Sequence, residues 1–279
     1  MKNVHNTARR TRERGYTLTE VMVAITISVF LLMGLFTILQ QTRQTAGTTT
    51  ALSQLQDDER VAMTVLTDII QQAGYVPEAN GSGTSLFVAD GTFVTAGQVF
   101  MGGNGQVIGD KLTLRYVLST NDTALTCLGQ SNTGAEQVYK EIFEVNTFNG
   151  ALGLACSPSN GASEALLVNN VVNLTFQFAV NTTSASSITA SNAVGPNTEA
   201  THSTGNGCPA DTYIATASMS QYDWTNVCAV KVDLVFVNPL YQPAGQPGPT
   251  PGQPHYITFE RVIGVLNKTG VNVSTTTQT

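Results

Sequence analysis

Residues 14–39 decide the fold of this chain, and they read RGYTLTEVMVAITISVFLLMGLFTIL. Gly15 follows a basic leader, and Glu20 is the only charged side chain in the rest of the stretch. The run Val21–Leu39 is long and apolar enough to cross the hydrocarbon core of a membrane as one helix. An ionised carboxylate in that core costs about 2.5–3.5 kcal/mol on insertion scales. We therefore predict that Glu20 has a partner.

The junction at Gly15 resembles the type III signal of type IV prepilins and pseudopilins. In that family a prepilin peptidase cuts after the glycine and methylates the new N-terminus. The resemblance implies cleavage between Gly15 and Tyr16, N-methylation of Tyr16, and an assembly role in which Glu20 neutralises the N-terminal amine of a neighbouring subunit. The common family pattern has Phe where this chain has Tyr16, and Ile or Val where it has Thr19.

Two other interpretations of the N-terminus stay open. A secretory signal peptide has an apolar core of about 7–15 residues and a cleavage site of small residues. The run in this chain is longer and continues into the polar segment Gln40–Arg43. An uncleaved signal anchor fits the hydropathy equally well, but it leaves the spacing of Gly15 and Glu20 unexplained.

Basic residues are concentrated before the apolar run. Arg43 alone lies close behind it, whereas the leader contains Arg9, Arg10, Arg12 and Arg14. The positive-inside rule therefore predicts that residues 1–15 are a cytoplasmic leader and that residues 75–279 form an extracytoplasmic head. Cleavage after Gly15 would leave 8 basic and 18 acidic residues, a net charge of −10. Such an acidic chain argues against nucleic acid as a direct ligand.

The composition and the cysteines agree with an exported head. Only 11% of the residues are charged, and small polar residues are plentiful. An even number of cysteines on the exported side favours two disulfides in one of three connectivities. We predict sequential pairing, which closes the shortest loops, with each bridge contributing about 3–4 kcal/mol. A zinc site is the alternative, but the sequence has neither Cys-x-x-Cys nor a nearby histidine pair. The cysteines are Cys127, Cys156, Cys208 and Cys228.

One long helix is predicted from Tyr16 to about Ala73. Its first part, 16–39, is the transmembrane and assembly helix, and its continuation, 40–74, is amphipathic, with a polar patch at 40–50 where it could bend. Gly74 and Pro77 end it. The apolar positions of the second part recur at steps of three and four: Leu52, Leu55, Ala62, Leu66, Ile69 and Ala73.

After Gly74 the apolar period changes to two, which indicates strands. An antiparallel sheet is the expected partner of the helix face, so the predicted fold class is α+β. Two polar segments, 181–207 and 238–254, lack a hydrophobic face and are predicted to be loops. The predicted strands are 111–117, 138–145, 172–180, 227–237 and 257–265.

Several later motifs narrow the resemblance to the PilW family of minor pilins. The helix ends in DIIQQAGY (68–75), a strand reads DKLTLRY (110–116), and a late strand reads VCAVKVDL (227–234). Each motif alone is a weak signal of the family, and the resemblance rests mainly on the order of the motifs along the chain. It implies the pilin fold, a long helix whose second half packs on a sheet. It also implies a low-abundance subunit related in shape to the J-type pseudopilin of type II secretion.

No catalytic constellation is recognisable, so we predict that the chain is not an enzyme and that it needs no cofactor or metal. The histidines His5, His202 and His255 lie in the leader or in loops. Gly102–Lys111 superficially resembles a phosphate loop, but it lacks the adjacent Gly-Lys-Ser/Thr and precedes a strand.

Three functional hypotheses remain. The first is a minor pilin that helps initiate or cap a type IV pilus; the second is a J-like pseudopilin of type II secretion; the third is a tip adhesin or ligand-binding module. The first hypothesis implies four partners: other minor pilins, the major pilin, the prepilin peptidase and the inner-membrane pilus assembly platform. It places the protein in the bacterial inner membrane before assembly and in the pilus fibre or at its tip afterwards.

Overall fold

The computed structural model describes residues 15–77, 86–120, 122–159, 163–180, 208, 210–241 and 253–266. The chain divides into two compact units, Met1–Thr50 and Ala51–Thr279. Three predicted features lie wholly or mainly outside the described residues: the leader up to residue 14, the whole loop 181–207, and residues 242–252 of the loop 238–254.

A single α-helix, α1, extends from Leu18 to Gln72. It is helical through the polar patch at 40–50, where each of several threonine hydroxyls donates to a carbonyl three or four residues earlier. The same local bonding occurs in the apolar run, where Thr26 donates to the carbonyl of Val23 at 2.8 Å and Ser28 to that of Ala24 at 2.7 Å. These bonds satisfy hydroxyls that would otherwise be costly in an apolar environment.

The second part of α1 belongs to the second unit and buries one face. The apolar positions that the sequence pattern placed together are buried there, apart from the half-buried Leu52. Met63 and Ile70 extend the same face. After the helix, the Gly74 N–H donates to the Arg115 carbonyl at 2.9 Å, so the end of the helix is tied to a strand.

The described residues contain nine strands in two antiparallel sheets. The first sheet is a meander in the order β1-β2-β3-β4-β5, and the second has the order β7-β6-β8-β9. The strands are β1 Phe100–Asn104, β2 Ile108–Leu118, β3 Gln137–Phe148, β4 Ala151–Pro158, β5 Ala165–Asn169, β6 Val171–Val180, β7 Thr212–Ala215, β8 Val227–Val237 and β9 Tyr256–Gly264.

The predicted α+β class and the antiparallel sheet are confirmed, and all five predicted strands are present as β2, β3, β6, β8 and β9. The structure divides the strands between two sheets where the sequence pattern suggested one. It also adds β1, β4, β5 and β7, which are short or rich in small residues and therefore lack a clear alternating pattern.

The chain changes sheets at a single residue, Asn170, between β5 and β6. Asn170 has a φ of 62°, a left-handed conformation that asparagine tolerates better than most residues. The two sheets and the second part of α1 contribute side chains to one hydrophobic core. Asp110 on β2 also joins the sheets, because its carboxylate accepts from the Phe176 N–H at 2.9 Å and from the Thr216 hydroxyl at 2.8 Å.

Candidate functional site

The predicted cleavage junction is fully accessible. Gly15 is exposed, and Tyr16 keeps 87% of its surface accessible. A Cβ added at Gly15 would meet no other atom within 4 Å, and its φ lies outside the left-handed region. Nothing in the described chain therefore requires glycine at this position.

Glu20 forms a capping box with Thr17 at the start of α1. The Glu20 Oε2 atom accepts from the Thr17 N–H and from the Thr17 hydroxyl, both at 3.0 Å, and the Thr17 hydroxyl lies 3.4 Å from the Glu20 N–H. This reciprocal arrangement satisfies two of the free N–H groups at a helix start. Sequence reasoning missed it, although the spacing Thr-x-x-Glu is its signature. Glu20 thus has a local partner within its own chain.

The apolar run presents large exposed side chains around the first part of α1. They include Phe30 at 75% and Leu18 at 77% relative exposure. Among the described residues, α1 is the one helix that is long and apolar enough to cross a membrane, as judged by length and composition. This surface needs lipid or other apolar helices around it, because an exposed apolar area of this size is unfavourable in water.

Both disulfides have the sequential connectivity. Cys127 is bonded to Cys156 and Cys208 to Cys228, with Cα–Cα distances of 6.5 and 5.5 Å. The first bridge fastens the segment before β3 to β4, and the second fastens the segment before β7 to β8. Because all four sulfurs are in disulfides, none of them is a thiolate ligand for a metal.

A buried carboxyl group, Glu141, lies beside the first disulfide, and sequence reasoning gave no indication of it. Its Oε1 atom accepts from the Tyr116 hydroxyl at 2.7 Å and from the Cys127 N–H at 3.4 Å. Its Oε2 atom lies 2.6 Å from the Cys127 sulfur and 3.3 Å from the Cys156 sulfur. Burial raises the pKa of Glu141 to about 7, although the bonds from Tyr116 and Cys127 act in the opposite direction. Because disulfide sulfurs have no proton to donate, a protonated Oε2 suits this contact best.

The histidine within the described residues has a packing role. The ring of His255 lies between those of Tyr241 and Tyr256, with centroid distances of 4.2 and 4.1 Å. The other two histidines, His5 and His202, lie outside the described residues.

Three comparisons with known proteins show what this chain is similar to. Residues 10–36 match the family described as the prokaryotic N-terminal methylation motif, and this match includes Gly15, Tyr16 and Glu20. The chain is 34% identical over 115 residues to the pilin-like protein PilA3 of Thermus thermophilus, a stretch that covers 41% of this chain and 46% of that protein. The chain thus spans about half the length of this relative.

A solved structure, the type IV-like pilin TTHA1219 from Thermus thermophilus, overlaps 77% of this chain and 98% of its own length at 13% identity. The TM-score of 0.35 is too low to establish a shared topology. The motif at residues 10–36 and the aligned 115 residues show that this chain is similar to type IV pilins.

Proposed function

We propose that the protein is a minor pilin of the PilW family, a structural subunit that helps initiate or cap the assembly of a type IV pilus. The observation that carries the proposal is the apolar, exposed first part of α1, whose first turn contains Glu20 and which follows closely on an accessible Gly15–Tyr16 junction. This combination serves both membrane insertion and helix packing in a fibre.

Processing is the first step. Prepilin peptidase removes residues 1–15 and methylates Tyr16. The chain's own packing does not require glycine at position 15, so a requirement for it must come from the pocket of the peptidase. Gly15→Val should therefore leave the helix intact and yield uncleaved precursor in the membrane.

Assembly is the second step. Cleavage creates an α-amino group on Tyr16, which is mostly cationic at neutral pH and needs an opposite charge in an apolar environment. In the free chain Glu20 is engaged by Thr17. In the fibre the carboxylate can accept from the amine of an adjacent subunit, so the capping bonds give way to an intermolecular ion pair.

The remaining partners follow from this role. The subunit would contact other minor pilins and the major pilin through α1, and would enter the fibre from the inner-membrane assembly platform. Before assembly the head is extracytoplasmic and the helix is anchored in the inner membrane. After assembly the protein lies in the pilus or at its tip.

Three variants separate the charge of Glu20 from its capping function. Glu20→Gln keeps a side chain that can complete a capping box but removes the charge. Glu20→Leu removes both, and Thr17→Ala removes the capping hydroxyl but keeps the carboxylate. We expect Thr17→Ala to enter sheared pili at close to the parental ratio to major pilin, and both Glu20 variants to enter at least about tenfold less well, equivalent to about 1.4 kcal/mol.

The measurement is quantitative immunoblotting of purified pili, alongside the level of mature protein in membranes. If Glu20→Gln assembles like the parent while Glu20→Leu and Thr17→Ala do not, Glu20 acts only as a helix cap. Sedimentation with a secretion pseudopilus instead of pili would favour the J-like pseudopilin.

A further inference from the structure

A groove of about 420 Å³ crosses the outer face of the first sheet. Its floor is a row of directly paired residues on four strands: Met101 pairs with Thr113, Thr113 with Ile142, and Ile142 with Ser157. Directly paired residues project on the same face of a sheet, so these four side chains lie side by side. The segment Gly91–Thr92 forms part of the wall.

Two lysines line the groove on opposite sides of this row. Lys111 lies two residues before Thr113 on β2, and Lys140 lies two residues before Ile142 on β3. Because β2 and β3 are antiparallel, the two lysines lie on opposite sides of the row. Among the described residues, no acidic side chain lines the groove, although the mature chain carries 18 acidic and only 8 basic residues. The described lining thus has two basic side chains and no acidic one, whereas the chain as a whole is acidic.

The nearby carboxylates are already engaged. Asp90 pairs with Lys140 at 2.8 Å, and Glu144 accepts from the main-chain and side-chain N–H groups of Gln106 at 2.8 and 3.2 Å. Among the described residues, no side-chain hydrogen bond or ion pair occupies Lys111. Of the two lysines in the groove, Lys111 is thus the more available to a ligand.

Three uncharged polar side chains in the groove are available in the same way. In the described part of the chain, the side chains of Asn104, Thr113 and Ser157 make no hydrogen bond to another residue, and all three line the groove. Thr113 retains only 4% exposure, so its hydroxyl is held in position by packing. A few fixed polar groups around an apolar floor, within a volume of several hundred Å³, are typical of small-ligand sites.

We propose that this groove binds an acidic saccharide, with the carboxylate of a uronic acid unit on Lys111 and the sugar hydroxyls on Asn104, Thr113 and Ser157. A lysine ammonium is a point charge and suits a single carboxylate, whereas paired recognition of phosphate favours arginine. The apolar floor of Met101 and Ile142 can contact the C–H face of a sugar ring. A peptide is disfavoured, because the strand face offers side chains and its backbone groups are used in the sheet ladder.

The test measures binding of tetragalacturonate to the full-length mature protein in detergent by calorimetry. We expect saturable binding that weakens about tenfold in Lys111→Gln, since a charge-assisted hydrogen bond is lost. Thr113→Val, which keeps the shape of the side chain, should also weaken it. The matched control is Lys231→Gln, which removes the same charge from the second sheet and should leave the affinity within about twofold.

Two further probes make the outcome specific. Neutral galactotetraose should not saturate the site, and a tetraglutamate peptide should bind more weakly than the uronate. Equal losses of affinity in Lys111→Gln and Lys231→Gln would show that the uronate responds only to the net charge of the protein, and this would overturn the proposal. Tighter binding of the peptide, or no uronate binding at about 10 mM, would overturn it as well. Lys111→Gln should still enter pili normally, so this result is independent of the assembly proposal.

Discussion

Glu141 shows how a single buried residue can impose a pH dependence on the whole head. Its side chain is fully buried, and the described structure places the Tyr116 hydroxyl, the Cys127 N–H and two disulfide sulfurs around the carboxyl group. No cation faces it among these contacts. The folded state therefore favours the protonated form, whereas the unfolded chain exposes an ordinary glutamate.

The resulting prediction concerns stability between pH 4.5 and pH 7. The pKa of Glu141 is raised from 4.5 to about 7 in the folded protein, so in this window the folded state binds more protons than the unfolded state. The free energy of unfolding should fall as pH rises through the window, by on the order of 3 kcal/mol in total, and level off above it. Glu141→Gln should flatten this part of the profile.

Urea unfolding followed by tryptophan fluorescence measures the effect, because the chain's single tryptophan, Trp224, is buried in the head. The exposed carboxylate Glu260 supplies a control, and Glu260→Gln should keep the parental slope. A parental profile that rises between pH 5 and pH 7, or an unchanged slope in Glu141→Gln, would contradict a protonated Glu141.

At the scale of elements, the two sheets are in close contact near the start of β2. Gly109 on β2 has a φ of 75°, and a Cβ at this position would collide with the Leu174 backbone and the Asn173 side chain on β6. The close packing of the sheets therefore depends on a residue without a side chain. Asp110, the next residue, accepts hydrogen bonds from the Phe176 N–H on β6 and from the hydroxyl of Thr216, which follows β7.

Two glycine variants separate backbone strain from collision. Gly129 has a similar φ of 72°, but a Cβ there would meet nothing within 4 Å. Gly129→Ala should lower the free energy of unfolding by about 1–2 kcal/mol, the usual cost of a left-handed residue. Gly109→Ala should lower the free energy of unfolding by about 1–3 kcal/mol more than Gly129→Ala does, as expected for overpacking.

The comparison is made by urea unfolding at one pH with the Trp224 signal. Equal losses of unfolding free energy in the two alanine variants would mean that the sheets can move apart at little cost. The contact at Gly109 would then not stabilise their packing. A larger loss of unfolding free energy in Gly129→Ala than in Gly109→Ala would contradict the backbone geometry at these two glycines.

At the scale of the whole molecule, the two units depend on different sources of stability. The first unit, residues 1–50, exposes its apolar surface and requires lipid or neighbouring helices. The second unit has its own core, and two disulfides close loops of 29 and 20 residues within it. The core of the second unit therefore does not depend on the exposed apolar residues of the first unit.

The disulfides give a prediction for the intact protein. Peptide mapping of mature protein without reductant should link Cys127 to Cys156 and Cys208 to Cys228, with no free thiol. Replacing both Cys208 and Cys228 by Ala should lower the free energy of unfolding by about 3 kcal/mol, because the unfolded chain regains the entropy that a closed loop of this length removes. Replacing both Cys127 and Cys156 by Ala should lower the free energy of unfolding by more than this, because it also leaves Glu141 beside a cavity. A peptide joining Cys156 to Cys208 would contradict the structure.

The features that the sequence alone determined are those encoded by neighbours in the chain. An uncharged run of this length and the steps of three and four beyond it predict α1. Alternation of apolar and polar residues predicts β2 and β6, a nearly continuous apolar run predicts β8, and shorter apolar patterns predict β3 and β9. Short loops and an exported compartment favour the sequential disulfides. In each case the physical cause is local: helix and strand periodicity, turn residues, and the entropy of loop closure.

The tertiary structure alone decided the features that arise from residues distant in the chain. Strands such as β1 and β4 are ordered by their partners, and the division into two sheets depends on the single turn at Asn170. Alternation places Glu141 on the same face of β3 as Tyr139 and Phe143, but only the folded chain shows that β2 and the first disulfide enclose its carboxyl group. Lys111, Thr113 and Ser157 belong to one groove only because three strands are paired in register. Whether a residue is buried, and which distant residues lie beside it, depend on what packs against it in the folded chain. The local sequence around a residue does not specify those neighbours.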